Sequence, residues 1–255
     1  MSVGQWAREA AEIGFDAIDL SILFVKDLDP GQWEAVRQEI ESAGMVIAMV
    51  TTYPDFTNPS PDVRVREAAR SEQEIAAAAT LGAEMVRVTA GQAHPETKLQ
   101  AGLKWAIEGL TGALPIAERH GIQLVFENHS KPGVWRYSDF AHPTEVFLSI
   151  VRATTGTALG INFDTANTLV AGDDPLPVLE AVLDRLVSVH VADTRTRGKL
   201  EPVVIGTGLV PFEGIFSCLQ DAGYDGWLCI EEASGTGRAG IETACSFVRH
   251  AWSST

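Results

Sequence analysis

The feature that most constrains this chain is its regular alternation of short apolar segments with longer amphipathic ones. Helical patterns separate the apolar segments, and glycines stand where C-caps are expected at several helix ends. Apolar strands joined by helices are typical of a parallel sheet with both faces covered. The pattern therefore predicts an α/β fold, a (β/α)₈ TIM barrel. Its candidate strands are FDAIDL (15–20), MVIAMVT (45–51), AEMVRVT (83–89), IQLVFEN (122–128), ALGINFD (158–164), LVSVHVAD (186–193) and GWLCIEE (226–232).

The domain organisation follows from the length and from the strand count. A chain of 255 residues suits one barrel, and no linker or low-complexity segment divides it, so we interpret residues 1–255 as a single domain. Seven strands are recognisable, whereas a barrel of this type has eight, and the chain opens on an amphipathic segment, MSVGQWAREAAEIG. We expect the first strand to be missing or truncated at the N-terminus; the alternative is a barrel that closes differently.

Composition excludes several classes of partner. The net charge of −15 disfavours nucleic acid and anionic membrane surfaces. No apolar run is long enough to span a bilayer, and the N-terminus lacks the pattern of a signal peptide. Three cysteines without metal-type spacing fit a reduced protein, so we predict a cytoplasmic location.

Polar side chains stand at the ends of four predicted strands. Glu127, Asp164 and Glu231 each close an apolar run, and His190 lies late in LVSVHVAD. In such barrels the reacting groups sit at the carboxyl ends of the strands, so these four can converge at one mouth. Three carboxylates and one imidazole suit Mn²⁺, Mg²⁺ or Co²⁺, with Zn²⁺ also possible. For any one of them a helix cap or a solvated loop residue is an equally good interpretation.

These residues resemble those of the sugar isomerase/epimerase superfamily, the xylose-isomerase-like TIM barrels. The resemblance rests on the motifs FENH, NFDTAN followed by AGDDP, SVHVAD, IGTGLVPF and GYDGWLCIE. It covers nearly the whole chain. The resemblance implies one divalent metal ion bound by Glu127, Asp164, His190 and Glu231. We expect that ion to be Mn²⁺. The resemblance also implies that the two glutamates act as catalytic base and acid.

The implied chemistry is the isomerisation or epimerisation of a small keto sugar, keto-polyol or hydroxypyruvate. A proton leaves the carbon beside a carbonyl, an enediolate forms, and a proton returns elsewhere; the metal stabilises the developing negative charge. The main alternative is a lyase or dehydratase on the same scaffold, such as one that eliminates from a 3-keto glycoside. A nuclease is disfavoured by the acidic charge, and a non-catalytic subunit by the intact set of four ligands.

Five further residues are candidates for contact with the carbohydrate substrate. Each also has an ordinary structural interpretation, as a surface residue or as an anchor of its loop. Relatives often have a histidine at the position of Asn167, the last residue of NFDTAN. The resemblance therefore leaves open whether Asn167 contacts the substrate or the metal. A homo-oligomer is possible, but no stripe of residues indicates an interface. The five candidates are His129, Trp135, Tyr137, Asn167 and Arg195.

Overall fold

The computed structural model describes residues 1–254, which divide into two compact units. The first comprises Met1–Phe126 and Thr154–Gly160, and the second comprises Glu127–Ala153 and Ile161–Thr255. Seven strands, the number predicted, lie within the described residues. The interpretation as one domain and the missing first strand both stay predictions.

The first unit is built from alternating helices and parallel strands. Its strands pair in chain order, β1 with β2, β2 with β3 and β3 with β4. A short 3₁₀ turn over Ile22–Phe24 follows the first strand. The elements are α1 (Val3–Ile13), β1 (Ala17–Ser21), α2 (Pro30–Ser42), β2 (Val46–Thr51), α3 (Pro61–Thr80), β3 (Met85–Val88), α4 (Leu99–Arg119) and β4 (Gln123–Glu127), whose last residue begins the second unit.

The second unit continues the same pattern. Strand β5 pairs in parallel with β6, and β6 pairs in parallel with β7. Parallel strands in chain order are the arrangement that the alternating pattern predicted. The elements are α5 (Thr144–Ala153), β5 (Gly160–Asp164), α6 (Asn167–Ala171), α7 (Pro175–Glu180), β6 (Leu186–Val191), α8 (Phe212–Asp221), β7 (Trp227–Ile230) and α9 (Arg238–Ser254), with a 3₁₀ turn over Leu183–Arg185.

Local sequence signals set several helix ends. Helix α1 begins with a capping box, in which the Ser2 side chain accepts from the Gln5 amide and the Gln5 side chain accepts from the Ser2 amide. It ends at Gly14, whose φ of 100° is left-handed and disfavours a side chain. Asp29 and Gln32 form the same box at the start of α2. These contacts satisfy backbone groups that a helix terminus otherwise leaves unpaired.

Several strands are largely buried, as a parallel sheet with covered faces requires, whereas every residue of β7 is half-buried. All residues of β3 and β5 are buried, including Val86 and Phe163, which have no exposed surface. Helices pack on them through stripes of small and branched side chains, such as Ile75 and Ala78 of α3. Within the described residues, no helix combines the length and apolarity that crossing a membrane requires.

Helix α3 contains a largely buried carboxylate, and one of its two oxygens accepts no hydrogen bond within the described residues. Glu74 has a side chain only 13% exposed, and its Oε1 lies 3.4 Å from Arg70 Nε. Its Oε2 accepts no hydrogen bond within the described residues. Burial raises the pKa of Glu74 to about 7, with Arg70 opposing and the charge of Glu67 adding to the increase.

We predict that Glu74→Gln stabilises the protein at neutral and alkaline pH. The raised pKa means that the folded state holds a proton that the unfolded state releases, so the free energy of unfolding falls as pH rises from about 4.5 to about 7. The loss is on the order of 3 kcal/mol. Glutamine stays neutral, so urea denaturation should give a flatter pH profile and a higher midpoint near pH 8.

Glu72→Gln is the matched control in the same helix. Glu72 is 54% exposed and pairs with Arg119 across 3.4 Å, so its loss should change stability by less than about 1 kcal/mol. Equal effects from the two substitutions would contradict the burial argument.

Candidate metal centre

Four polar side chains of the second unit converge, each at or next to the carboxyl end of a strand. Glu127 is the last residue of β4, Asp164 is the last of β5, His190 is the penultimate residue of β6, and Glu231 follows β7 directly. One ligand atom from each lies within 4.8 Å of the others. These are the four residues that the strand-end argument selected, and the fold brings all of them together.

Strand register accounts for much of this convergence. Asp164 is paired with His190 across β5 and β6, so both side chains leave the same face of the sheet. The Glu231 amide donates to the Val191 carbonyl at 2.9 Å, which extends the β6–β7 pairing to the next residue. The spacing of these residues along the chain therefore becomes spatial proximity at one edge.

The imidazole of His190 lies between the two glutamates. Its Nδ1 is 3.1 Å from Glu127 Oε1 and 3.2 Å from Glu231 Oε2. Asp164 is held differently: its Oδ1 accepts the backbone amides of Ala166 at 2.8 Å and Asn167 at 2.6 Å. Each carboxylate thus has a fixed direction before any ligand binds.

Asn128 fixes the backbone that carries Asp164, a role that sequence reasoning missed. Its Oδ1 accepts the Asp164 amide at 2.7 Å, while its Nδ2 donates to the Asp164 carbonyl at 2.9 Å and to Thr168 Oγ1 at 3.2 Å. The amide side chain therefore acts as a strand-like partner for Asp164. The only signal in the sequence was an amide directly after the apolar run LVFE.

Burial and charge set the electrostatics of the site. Glu127, Asp164 and His190 are at most 3% exposed, whereas the Glu231 side chain is 54% exposed. Burial, then the charges of Glu231 and Glu127, raise the pKa of Asp164 well above its usual value. Desolvation acts to raise the pKa of Glu231, but the hydrogen bond and charge of His190 outweigh it and lower that pKa.

This donor set fits a divalent cation. Three carboxylates packed within a few ångströms repel one another, and burying them without a cation is costly. Oxygen donors with one imidazole suit Mn²⁺, Mg²⁺, Co²⁺ or Zn²⁺. The four predicted ligands could hold such an ion, and their roles as ligands stay predictions.

The five candidate substrate residues have different surroundings. His129 is half-buried, and its charge contributes to the lowered pKa of Glu231 after the larger effects of desolvation, His190 and Glu127. Asn167 is buried at the start of α6, and its backbone amide donates to Asp164 Oδ1. Arg195 is exposed, and its backbone amide donates to the Glu201 carbonyl at 3.0 Å.

The two aromatic candidates lie in the loop that follows β4. Trp135 is only 8% exposed, which favours a role in anchoring the loop over one as an open wall for a sugar. Tyr137 is half-buried, and the Arg136 guanidinium lies 5.1 Å from its ring centroid. Contact of either residue with substrate stays a prediction.

Asp193 organises the loop that follows β6. Its Oδ2 accepts the amides of Gly206 at 3.0 Å and Gly208 at 2.7 Å, and its Oδ1 accepts those of Thr194 at 2.8 Å and Val210 at 3.2 Å. Three of these four amide donors belong to the IGTGLVPF segment, so one buried carboxylate, three residues after His190 in the chain, holds that segment in place. The motif, one of those that carry the resemblance, therefore has a structural role.

We predict that Gly208→Ala destabilises the protein by about 1–3 kcal/mol. A Cβ atom there would lie 2.3 Å from Asp193 Oδ1 and 2.5 Å from the Thr194 carbonyl oxygen, so the loop would have to move off Asp193. Urea denaturation measures the loss. Gly133→Ala is the matched control, because a Cβ there meets nothing within 4 Å. Similar losses for both would show that Gly208 is not packed against Asp193.

We predict about one bound divalent ion per chain, lost in Glu127→Ala. Elemental analysis of purified protein, before and after chelation and reloading, measures this. Glu242→Ala is the control, because Glu242 is an exposed residue of α9 that pairs with Arg238. A protein that neither contains nor takes up a divalent ion would contradict the metal assignment and leave Glu127 as an ordinary strand end.

Known proteins share this sequence pattern and fold. A Streptomyces coelicolor protein named "Putative hydroxypyruvate isomerase" is 28% identical over 239 residues, which cover 89% of this chain and 84% of that protein. An inosose dehydratase of Lacticaseibacillus casei is 24% identical over 139 residues, 48% of this chain and 44% of the relative. The solved IOLI protein with a binding zinc atom superposes with a TM-score of 0.83 at 16% identity, covering 100% of this chain and 94% of that one.

The family itself is established by a match along most of the chain. The model described as "Xylose isomerase-like TIM barrel" matches residues 7–251. This match confirms the predicted fold class and the resemblance drawn from the motifs, and the relatives confirm the prediction of an enzyme. The chain belongs to the xylose isomerase-like TIM-barrel family.

Proposed function

We propose that this protein is a divalent-metal-dependent isomerase or epimerase of a small α-hydroxycarbonyl compound, such as a keto sugar, a keto-polyol or hydroxypyruvate. The observation that carries the proposal is the convergence of Glu127, Asp164, His190 and Glu231 within 4.8 Å. The set combines candidate metal ligands with two glutamates that can transfer protons. The similarity to a protein named as a hydroxypyruvate isomerase supports this class of substrate.

The two glutamates are the candidates for the proton transfer. The bound cation would neutralise negative charge that develops on the substrate oxygens. One glutamate takes the proton from the carbon beside the carbonyl, and the other returns a proton to the neighbouring carbon or to the opposite face. The His190 Nδ1 atom lies within 3.2 Å of a carboxylate oxygen of each glutamate, which supports a shared role for the pair.

Exposure separates the two glutamates chemically. Glu127 has no exposed surface, whereas the Glu231 side chain is 54% exposed. In this two-glutamate transfer the hydrogen that enters the product comes from the donating glutamate, and a proton on the more exposed Glu231 exchanges with water more readily than one on Glu127. A single turnover begun by dilution into deuterated water therefore reports the donor: labelled product indicates that Glu127 abstracts and Glu231 donates, and deuterium-poor product indicates the reverse.

Polar groups beside the site suit a hydroxylated substrate. The side-chain amide of the buried Asn167 can donate to one hydroxyl group and accept from another, and the half-buried His129 can do the same near Glu231. Arg195, exposed in the loop after β6, can pair with a substrate carboxylate such as that of hydroxypyruvate. Mn²⁺ is the ion that we propose, because three of the four donors are carboxylates. We also propose a cytoplasmic location, because the three cysteines form no disulfide within the described residues and so suit a reducing compartment.

A dehydratase is the second candidate, supported by the partial similarity to inosose dehydratases. Both reactions begin with the same proton abstraction, but a dehydratase then expels a β-hydroxyl group. Mass spectrometry of the products from a panel of hydroxypyruvate, ketohexoses and inososes separates the two. A product of unchanged mass supports the isomerase, and a product lighter by one water supports the dehydratase.

We predict that Glu231→Gln and Glu127→Gln each cut turnover by about 10²–10⁴-fold, because each removes a proton-transfer group. Turnover is measured on the substrate that the panel identifies, with circular dichroism to check folding. Glu242→Gln, on the exposed face of α9, should keep wild-type turnover. Near-normal turnover in a folded, metal-loaded Glu231→Gln or Glu127→Gln variant would refute the assigned role.

A further inference from the structure

Strands β5 and β6 carry a second polar pair, two residues before the pair that belongs to the candidate metal centre. Asn162 is paired with Ser188, and two residues further along the same strands Asp164 is paired with His190. Because side chains alternate between faces with a period of two, all four side chains leave the same face of the sheet. Asn162 and Ser188 therefore form a polar row directly beneath the candidate metal centre.

Both members of this row are completely buried, with 0% exposure. The Asn162 Oδ1, the Asn162 Nδ2 and the Ser188 Oγ atoms make no hydrogen bond to any residue that the structure describes. The two side chains also do not bond to each other, although they are neighbours in register. Buried amides and hydroxyls in native proteins are almost always paired, because an unpaired group forfeits its hydration.

The chemistry of the row points to its ligand. Asn162 offers one acceptor and two donors, and Ser188 offers a hydroxyl that can donate or accept. Neither residue carries a charge, so the pair does not suit a metal ion, which prefers carboxylates. Water matches these groups, since a buried water makes about three hydrogen bonds to polar groups that otherwise lack partners.

We propose that Asn162 and Ser188 together bind an ordered internal water beneath the candidate metal centre. The water accepts from the Asn162 amide or donates to its oxygen, and it bridges to the Ser188 hydroxyl. The inference stands on burial and register and does not depend on the proposed function. It explains how strands whose inward positions are ordinarily filled by branched apolar side chains tolerate an amide and a hydroxyl there.

Ser188→Ala tests the proposal through the sign of its effect. If water is bound, removal of the hydroxyl takes away one of its partners, and the melting temperature should fall by roughly 2–4 °C. If the row is dry, removal of an unpaired buried hydroxyl relieves a penalty, and the melting temperature should rise. Ser246→Ala is the control, because Ser246 is exposed and its hydroxyl donates to the Glu242 carbonyl of its own helix. A rise in Ser188→Ala overturns the proposal.

A double-mutant cycle tests whether the two residues share the water. Asn162→Ala, Ser188→Ala and the double variant are compared by thermal unfolding. A shared water predicts that the double variant loses less than the sum of the single losses, whereas additive losses overturn a common ligand. A crystal structure of the wild-type protein should show a water within hydrogen-bonding distance of Asn162 and Ser188. A well-defined map without that water overturns the proposal directly.

Discussion

The mutual repulsion of three carboxylates around one imidazole is the constraint on which the site depends. Glu127, Asp164 and Glu231 would separate in a flexible chain, because like charges in a poorly solvated space destabilise one another. Their convergence is maintained by strands that end at the same edge of the second unit. Burial and the neighbouring carboxylates destabilise the charged form of Asp164 and so raise its pKa. His190 stabilises the charged form of Glu231 and so lowers its pKa. A bound cation would relieve the repulsion, which is the physical basis for the metal assignment.

A set of neighbouring hydrogen bonds makes this arrangement rigid. The Asn128 side chain hydrogen-bonds both the amide and the carbonyl of Asp164. The Asp193 carboxylate accepts four backbone amides of the loop after β6. Glu232 connects two segments in the same way, since its carboxylate accepts the backbone amides of Ser234 and Ile205. None of these residues is a predicted ligand. Asn128 holds the backbone of a candidate ligand directly, so its loss should displace the Asp164 carboxylate. Asp193 and Glu232 instead fix loops that lie next to His190 and Glu231 in the chain.

The second unit places groups of different accessibility in layers. Glu231 lies open to solvent, Glu127 and Asp164 lie buried beside it, and the row of Asn162 and Ser188 lies below them. This gradient gives the two glutamates different access to bulk protons, which matters for any reaction that removes and returns one. It also continues the polar interior below the candidate ligands, where hydration of a neutral pair would cost less than burial of another charge.

The sequence by itself determined the alternation of strands and helices, the glycine-terminated helices and the identity of the four converging residues. These depend on local periodicity and on position relative to a strand end, which are readable along the chain. Only the tertiary structure decided that Glu127 is buried and Glu231 open, that Trp135 is inserted, that Asn128 and Asp193 hold backbone amides, and that Asn162 faces Ser188. Such properties depend on strand register and on loop paths, which bring together residues such as Asp193 and Gly206, 13 positions apart, or Asn128 and Asp164, 36 positions apart, and no local pattern encodes them.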